Sequence, residues 1–513
     1  MGVKAGKVSR RGILLSFMII IVLLLPPFIN VPTGNLVEAA TMDWGSMKEV
    51  TDPLDYHKNN VGNLIGYLDQ KATTAVFNGR MYVAWETSER NNVGTMIYVR
   101  SMKDDDWGPI SAVAGVEDGV IDNEPAMAVF NGNLYLAWQH SGGDDTDIMC
   151  KELSGDTWSD CGYVSPQYNY GIDSLPSLIA YKGYLYAVWS TRSTTTGKDP
   201  NGDVVIRHYD GVEWSDNITI VNRFPVNGYD DQAKLAVYND NLVVTWVTRD
   251  DKIKSGNNID IVLREFDGEN WGLFHAVSPP GGPNDDCSYP SVAVYSGKLY
   301  IAWQAPGTAP QFTNIDVTSW DGHQIDDHQS VTPKSHANNE HPSAKVFREA
   351  LYIAWNSNDL NFTQGSNDNI AIAYFNGNEW SAPEQVSPFS MVGEYATVNR
   401  FPLLESYHGG LYAIWEYDDQ RPSAKVLDAA DLMYRRYPPE SSKIDLLTVS
   451  LIVIIVILVT IFIVAWTIGT KRTKREKKYL DRMRRKELRK EPDAFIVRKR
   501  GGRKGKRRKK KFS

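Results

Sequence analysis

The chain has 513 residues, a formal net charge of −7 and 3 cysteines, which excludes a small fold built on disulfides and leaves room for a large core. The charge is divided unevenly. Residues 471–513 hold 23 Lys/Arg against 5 Asp/Glu, residues 1–39 hold 4 against 1, and residues 40–470 are left with −28. An acidic body with a basic tail is the split that a membrane imposes.

Residues 1–39 read as a secretory signal. Lys4, Lys7, Arg10 and Arg11 form a basic start, residues 13–25 an apolar run, and Val37-Glu38-Ala39 a small-residue cleavage site. Trp44 follows, with Val50 six positions on. Then a pattern recurs seven times, as in Pro290 to Trp303, with the other copies ending at Trp85, Trp138, Trp189, Trp246, Trp355 and Trp415. Each copy alternates apolar and polar residues on both sides of a turn, which predicts a hairpin with one buried face. Most turns carry Asn or Gly, as at Asn78-Gly79 and Asn131-Gly132, because these residues tolerate positive φ. A second hairpin follows each one, read from 203–214, 260–271 and 369–380 and shortened at 316–325. An apolar residue lies six positions past each closing residue: Val113, Val164, Ile220, Val277, Val331 and Val386. Four antiparallel strands in repeats of 51 to 60 residues predict an all-β, seven-bladed β-propeller over residues 40–440.

The seventh repeat lacks a fourth strand, since Pro438-Pro439 stops it after residues 431–437. The stretch 44–51 has the missing tryptophan and valine, so the N-terminal strand is expected to close the last blade. The repeated tryptophans are expected to pack between blades, where large rings bury the most area.

Residues 446–468 are uncharged and apolar. At about 1.5 Å per residue they would span about 34 Å as a C-terminal transmembrane helix. Lys471-Arg472-Thr473-Lys474-Arg475 follows at once, so residues 471–513 are expected to be a cytoplasmic tail against anionic lipid, with the propeller outside. Nothing beyond charge points that tail to nucleic acid, since no motif or aromatic accompanies it.

The second hairpins carry a further signal. Asp203, Asp260, Asp316 and Asp431 precede the third strands, and the turns Asp210-Gly211, Asp267-Gly268 and Asn376-Gly377 precede Trp214, Trp271 and Trp380. This pattern resembles the sialidase-like, Asp-box propellers over about 396 residues. It departs from them in placing Asp next to Gly and in lacking the upstream Ser. The resemblance therefore implies the propeller superfamily rather than a given activity.

Three residues before each first-strand proline, or its alanine equivalent, lie Asp69, Asp122, Asp173, Asp230, Cys287, Asn339 and Asn399. On the ligand face of a propeller these oxygens would form a ring suited to a hard cation such as Ca²⁺. The competing reading is that each caps its own loop. The resemblance also implies a glycosidase candidate. Arg400-Phe401-Pro402 is similar to the sialidase Arg-Ile-Pro, whose arginine grips a substrate carboxylate, and Arg223-Phe224-Pro225 repeats it. Glu416, Asp418 and Asp419 are then the candidate acids. Against catalysis, Pro402 is the repeat-wide proline, and no Tyr–Glu motif of a retaining sialidase is recognisable.

Cys150 and Cys161 lie across one hairpin and are expected to pair, leaving Cys287. Asn217-Ile218-Thr219 and Asn361-Phe362-Thr363 are glycosylation sequons. The sequence thus reads as a single-pass cell-surface protein whose propeller binds an extracellular glycan or protein, in adhesion or envelope assembly. A membrane-tethered sialidase-like hydrolase and a structural envelope component are the alternatives.

Overall fold

The computed structural model describes most of residues 42–438, apart from short stretches of which 52–66 and 419–429 are the longest, and residues 446–490. The expected signal segment 1–39 and the residues 491–513 lie outside the described residues. The chain divides into two units, Met1–Pro439 and Glu440–Ser513.

The first unit is all β. Its strands form four-stranded antiparallel meanders, of which Asp230–Tyr238, Asn241–Thr248, Asp260–Phe266 and Trp271–Ala276 are one. Four such meanders are separate sheets, and three more join through single parallel bridges into a 13-stranded sheet. The first strands of successive meanders pack side by side, and the strand Val398–Tyr407 returns to Tyr67–Phe77. The fold is a β-propeller.

The last meander is completed from the other end of the unit. Lys48 pairs with Tyr434 and Glu49 with Met433, while the Val50 amide donates to Leu432 O at 2.7 Å. Both central residues of the first-hairpin turns take positive φ in Asn78-Gly79 and Asn131-Gly132, which matches the right-handed strand twist. In the second hairpins, the Asp210 Oδ1 accepts the amides of Val212 and Glu213, at 2.7 and 2.9 Å. Asp267, Asp321 and Asn376 cap their turns in the same way. These amide bonds hold the Asp210, Asp267 and Asp321 carboxyls below the usual range.

The core lies between meanders. Tyr186, Val188 and Val204 of the third pack with Leu242, Trp246 and Val262 of the fourth, and the seven repeat tryptophans are all buried. The valine position is corrected in the third meander. Val221, not Ile220, is fully buried and donates to Val204 O, because the turn after Trp214 holds one more residue than its siblings.

Cys150 and Cys161 form a disulfide with Cα atoms 5.3 Å apart. The ladder register shifts between Asp160 and Gly162, and that bulge brings Cys161 beside Cys150, whose direct partner is Gly162.

The second unit is described through its helix, Leu446–Lys490. Among the described residues no helix is long and apolar enough to cross a membrane. The side chains of residues 446–457, half of the expected span, lie outside the described residues.

Candidate functional site

The seven ring positions Asp69, Asp122, Asp173, Asp230, Cys287, Asn339 and Asn399 are at most 5% exposed. Five of them accept the indole N–H of their own meander's tryptophan. The distances are 3.1 Å for Trp85 to Asp69, 2.8 Å for Trp138 to Asp122 and for Trp246 to Asp230, 3.0 Å for Trp355 to Asn339 and 2.7 Å for Trp415 to Asn399. Asp69 and Asn339 also accept Thr87 and Ser357 hydroxyls. The oxygen ring expected at an open mouth for Ca²⁺ is thus occupied with fastening first strand to second. Among the described residues no group of three or more His, Cys, Asp or Glu is placed to hold a metal ion.

The mouth is formed two residues further on. Lys71, Glu124, Leu175, Gln232, Tyr289, His341 and Phe401 all have φ between 50° and 56°. Left-handed backbone is uncommon for such residues, and here it recurs at one position of every first strand. At each, the pairing register with the second strand shifts, as between Asp231 and Lys234. A bulge re-aims a side chain, and these seven all line one cavity of about 480 Å³. The sequence signal was the proline that follows five of them, since a proline inside a strand marks an edge or a bulge.

The mouth has two halves. On one side Tyr289, His341 and Phe401 make a continuous aromatic wall, with centroids 4.1 Å apart at both steps. His341 is drawn down to about 4, chiefly by burial, so its ring is neutral at physiological pH, with Nδ1 3.0 Å from Asn356 Oδ1. On the other side Lys71 pairs with Glu124 at 3.3 Å and lies 4.7 Å from the Phe401 ring centroid. Burial pulls the Lys71 ammonium down, but Glu124, Glu86 and Glu416 outweigh it and the net shift is upward.

Beneath this ring, residues that follow the tryptophans hold the bulges. Glu416 Oε1 accepts the Lys71 amide and Glu86 Oε2 the Glu124 amide, both at 2.9 Å, each reaching from one meander to the next. Burial raises Glu86 to about 7 and Glu416 to about 8. Both therefore exchange protons near neutral pH.

Lys234 lines this cavity and a second one of about 600 Å³, with Thr73, Pro290, Pro342, Pro402 and Leu403 also shared, so the two are one axial channel. Its side chain is reached by water but walled in by protein, and that enclosure lowers its pKa. Among the described residues the Lys234 ammonium has no hydrogen-bonded or ion-paired partner. Deeper in the channel Glu405 is neutralised by Lys345, at 2.6 Å.

Of the residues expected for a hydrolase, Arg400 and Glu416 are ladder partners on neighbouring strands. Arg400 is half-exposed and donates from Nε to Asp368 at 2.8 Å. Arg223 and Asp419 lie outside the described residues. Asp418 pairs with Val398 and Ala430 at the end of its strand, and Glu416 is buried under Lys71. No arginine lines the cavity among the described residues. Of the sequons, Asn217 and Asn361 are exposed, while Thr363 is buried and donates to Asp359 O at 2.7 Å.

No family model and no curated protein matches the chain. Solved structures do resemble it. An α-L-arabinanase of Penicillium chrysogenum complexed with arabinobiose is 15% identical, with a TM-score of 0.41 over 65% of this chain and 98% of its own. The polysaccharide lyase Uly1 is 10% identical, with a TM-score of 0.48 over 77% and 99%. A Trypanosoma rangeli sialidase is 12% identical, with a TM-score of 0.41 over 76% and 59%. Likeness at this level does not extend to activity.

Proposed function

We propose that this is a single-pass cell-surface protein whose seven-bladed propeller binds the end of an acidic glycan at its axial mouth. The observation that carries the reading is the ring of seven left-handed bulges, which sets an aromatic wall beside an unpaired lysine in one cavity. Sugar rings stack on faces such as Tyr289 and Phe401, and a sugar carboxylate would find its counter-charge at Lys234. The uncharged run 446–468 with its basic flank supports the anchor, and the division of charge supports an outside propeller.

The test is thermal unfolding of the full chain in detergent with paired acidic and neutral sugars. A ligand of the folded state raises the apparent stability by mass action. A charge-assisted hydrogen bond contributes about 1.5–3 kcal/mol. Lys234→Met should therefore weaken acidic-sugar binding by roughly tenfold or more, at about 1.4 kcal/mol per decade. Equal binding of both sugar classes, or equal binding by the variant, sinks the proposal.

The hydrolase reading retains one supporting observation: Glu86 and Glu416 are protonatable near neutral pH directly beneath the mouth, bonded to the amides of its Glu124 and Lys71. Turnover of a chromogenic acidic glycoside, lost in Glu416→Gln with binding intact, would favour it. No turnover by the unmodified chain would end it.

A further inference from the structure

One position of the third strands, two residues after the one that pairs with the second-strand tryptophan, faces the preceding meander. In four meanders it is an arginine: Arg100, Arg207, Arg264 and Arg435. Each guanidinium makes the same two contacts. Nε donates to the carbonyl just after the fourth-strand tryptophan, in Gly108, Ser215, Gly272 and Gly45 respectively. Nη1 donates to the last buried valine of the preceding meander, Val50, Val164, Val221 and Val386, at 2.5–2.8 Å. Arg100 and Arg264 also lie over Trp107 and Trp271, 5.5 and 5.2 Å from the centroids. In the second meander Lys151 reaches Val113 O at 2.7 Å.

The pattern fails in the fifth and sixth meanders. Thr318 stands in the fifth and satisfies its own carbonyl, donating to Asp326 O at 2.6 Å. Ala373 stands in the sixth, opposite Ile353. The acceptors that an arginine there would use are Ser381 O and Val331 O, and among the described residues no side chain donates to either. Between these two meanders lies a cavity of about 350 Å³. Its lining includes Tyr300, Phe375 and Trp380 as aromatic surface and Asp326 and Asp327 as carboxylates. Lys298 neutralises Asp326, whereas Asp327 has no ion pair among the described residues.

We propose that this cleft receives a guanidinium from outside, the side chain of an arginine in a partner polypeptide. The occupant follows from two sibling slots, where Trp107 and Trp271, the counterparts of the cleft's Trp380, hold the chain's own Arg100 and Arg264. An aromatic face and an unpaired carboxylate suit a planar cation that is weakly hydrated. A neutral sugar would leave the Asp327 charge unanswered.

The test uses the full chain in detergent and three probes: N-acetyl-arginine amide, its neutral isostere N-acetyl-citrulline amide, and the lysine analogue. Calorimetric titration should show one site for the arginine probe and binding at least tenfold weaker for citrulline. Asp327→Asn should weaken the arginine probe about two- to fivefold, the range of an exposed ion pair. Ala373→Arg should fill the slot from within and abolish probe binding. Should that variant not fold, Arg264→Ala opens a sibling slot and should raise the arginine stoichiometry from one site to two. Equal binding of arginine and citrulline overturns the proposal, as does an Arg264→Ala chain that gains no site.

Discussion

Asp230 is the position at which the fastening of first strand to second should become visible as a pH dependence. Its Oδ1 accepts Trp246 at 2.8 Å and its Oδ2 accepts Asn222 Nδ2 at 2.7 Å. Burial nevertheless lifts its carboxyl from 3.8 to about 7, against the bonds from Thr248, Trp246 and Asn222, with Asp203 adding repulsion. A carboxyl raised in the folded state contributes nothing adverse below pH 3.8. It then costs stability progressively until its folded pKa near 7 is passed. At about 1.36 kcal/mol per pH unit the full cost is about 4 kcal/mol, of which about 2.7 kcal/mol falls between pH 5 and pH 8.5. The sixth and seventh meanders use Asn339 and Asn399 at this place with the same indole contact. Asp230→Asn keeps the acceptor and cannot ionise. Its amide would face the Asn222 amide, which costs about 1–3 kcal/mol at every pH. The expected signature is therefore a difference rather than a level. Between pH 5 and pH 8.5 the variant should gain on the unmodified chain by about 2–3 kcal/mol. For some 400 ordered residues that is about 3 °C in Tm, at roughly 0.8 kcal/mol per degree of unfolding entropy. Scanning calorimetry or tryptophan fluorescence would measure it. A gap between the two proteins that does not change with pH would refute the argument.

Two further outcomes rest on the same geometry. Among the described residues the buried indole N–H of Trp303 has no acceptor, and its meander carries Cys287 where others carry Asp or Asn. Cys287→Asn should supply one and stabilise by about 1 kcal/mol, and a lowered Tm would mean that the extra volume outweighs the bond. Replacing Cys150 and Cys161 together by Ser should remove about 3 kcal/mol, the loop-closure value for a link across 11 residues, as a fall in the urea midpoint. No change would mean that the bulge at Cys161 holds without the bond.

What the sequence disclosed depended on local periodicity. The hairpins are legible because two-residue alternation and Asn-Gly turns are local signals, and the closing strand at 44–51 because the Trp–Val spacing repeats there. Residues of the mouth were not legible as such. Strand parity carried forward from Asp69 or Asp230 points the wrong side chain at the channel, since one left-handed residue inverts the register. In the sequence Phe401 reads only as the middle of Arg400-Phe401-Pro402, where the charged Arg400 is the more conspicuous group. The inter-blade arginines were equally hidden. Each is an unremarkable basic residue in an amphipathic strand until the valine carbonyl it meets, 43 to 50 residues earlier in all four cases, is brought alongside.

The strand at 48–49 also has a meaning for how the molecule is made. Arg435 donates to Trp44 O at 2.9 Å and to Gly45 O, across separations of 391 and 390 residues. A contact that distant in sequence forms only after the rest of the propeller chain exists, so the final clasp is a late event and the ring stays open until then. It follows that the two termini of the domain are one structural object: a deletion reaching residue 50 and a deletion beginning at residue 430 damage the same meander, and each leaves the other's partner strand as an exposed edge.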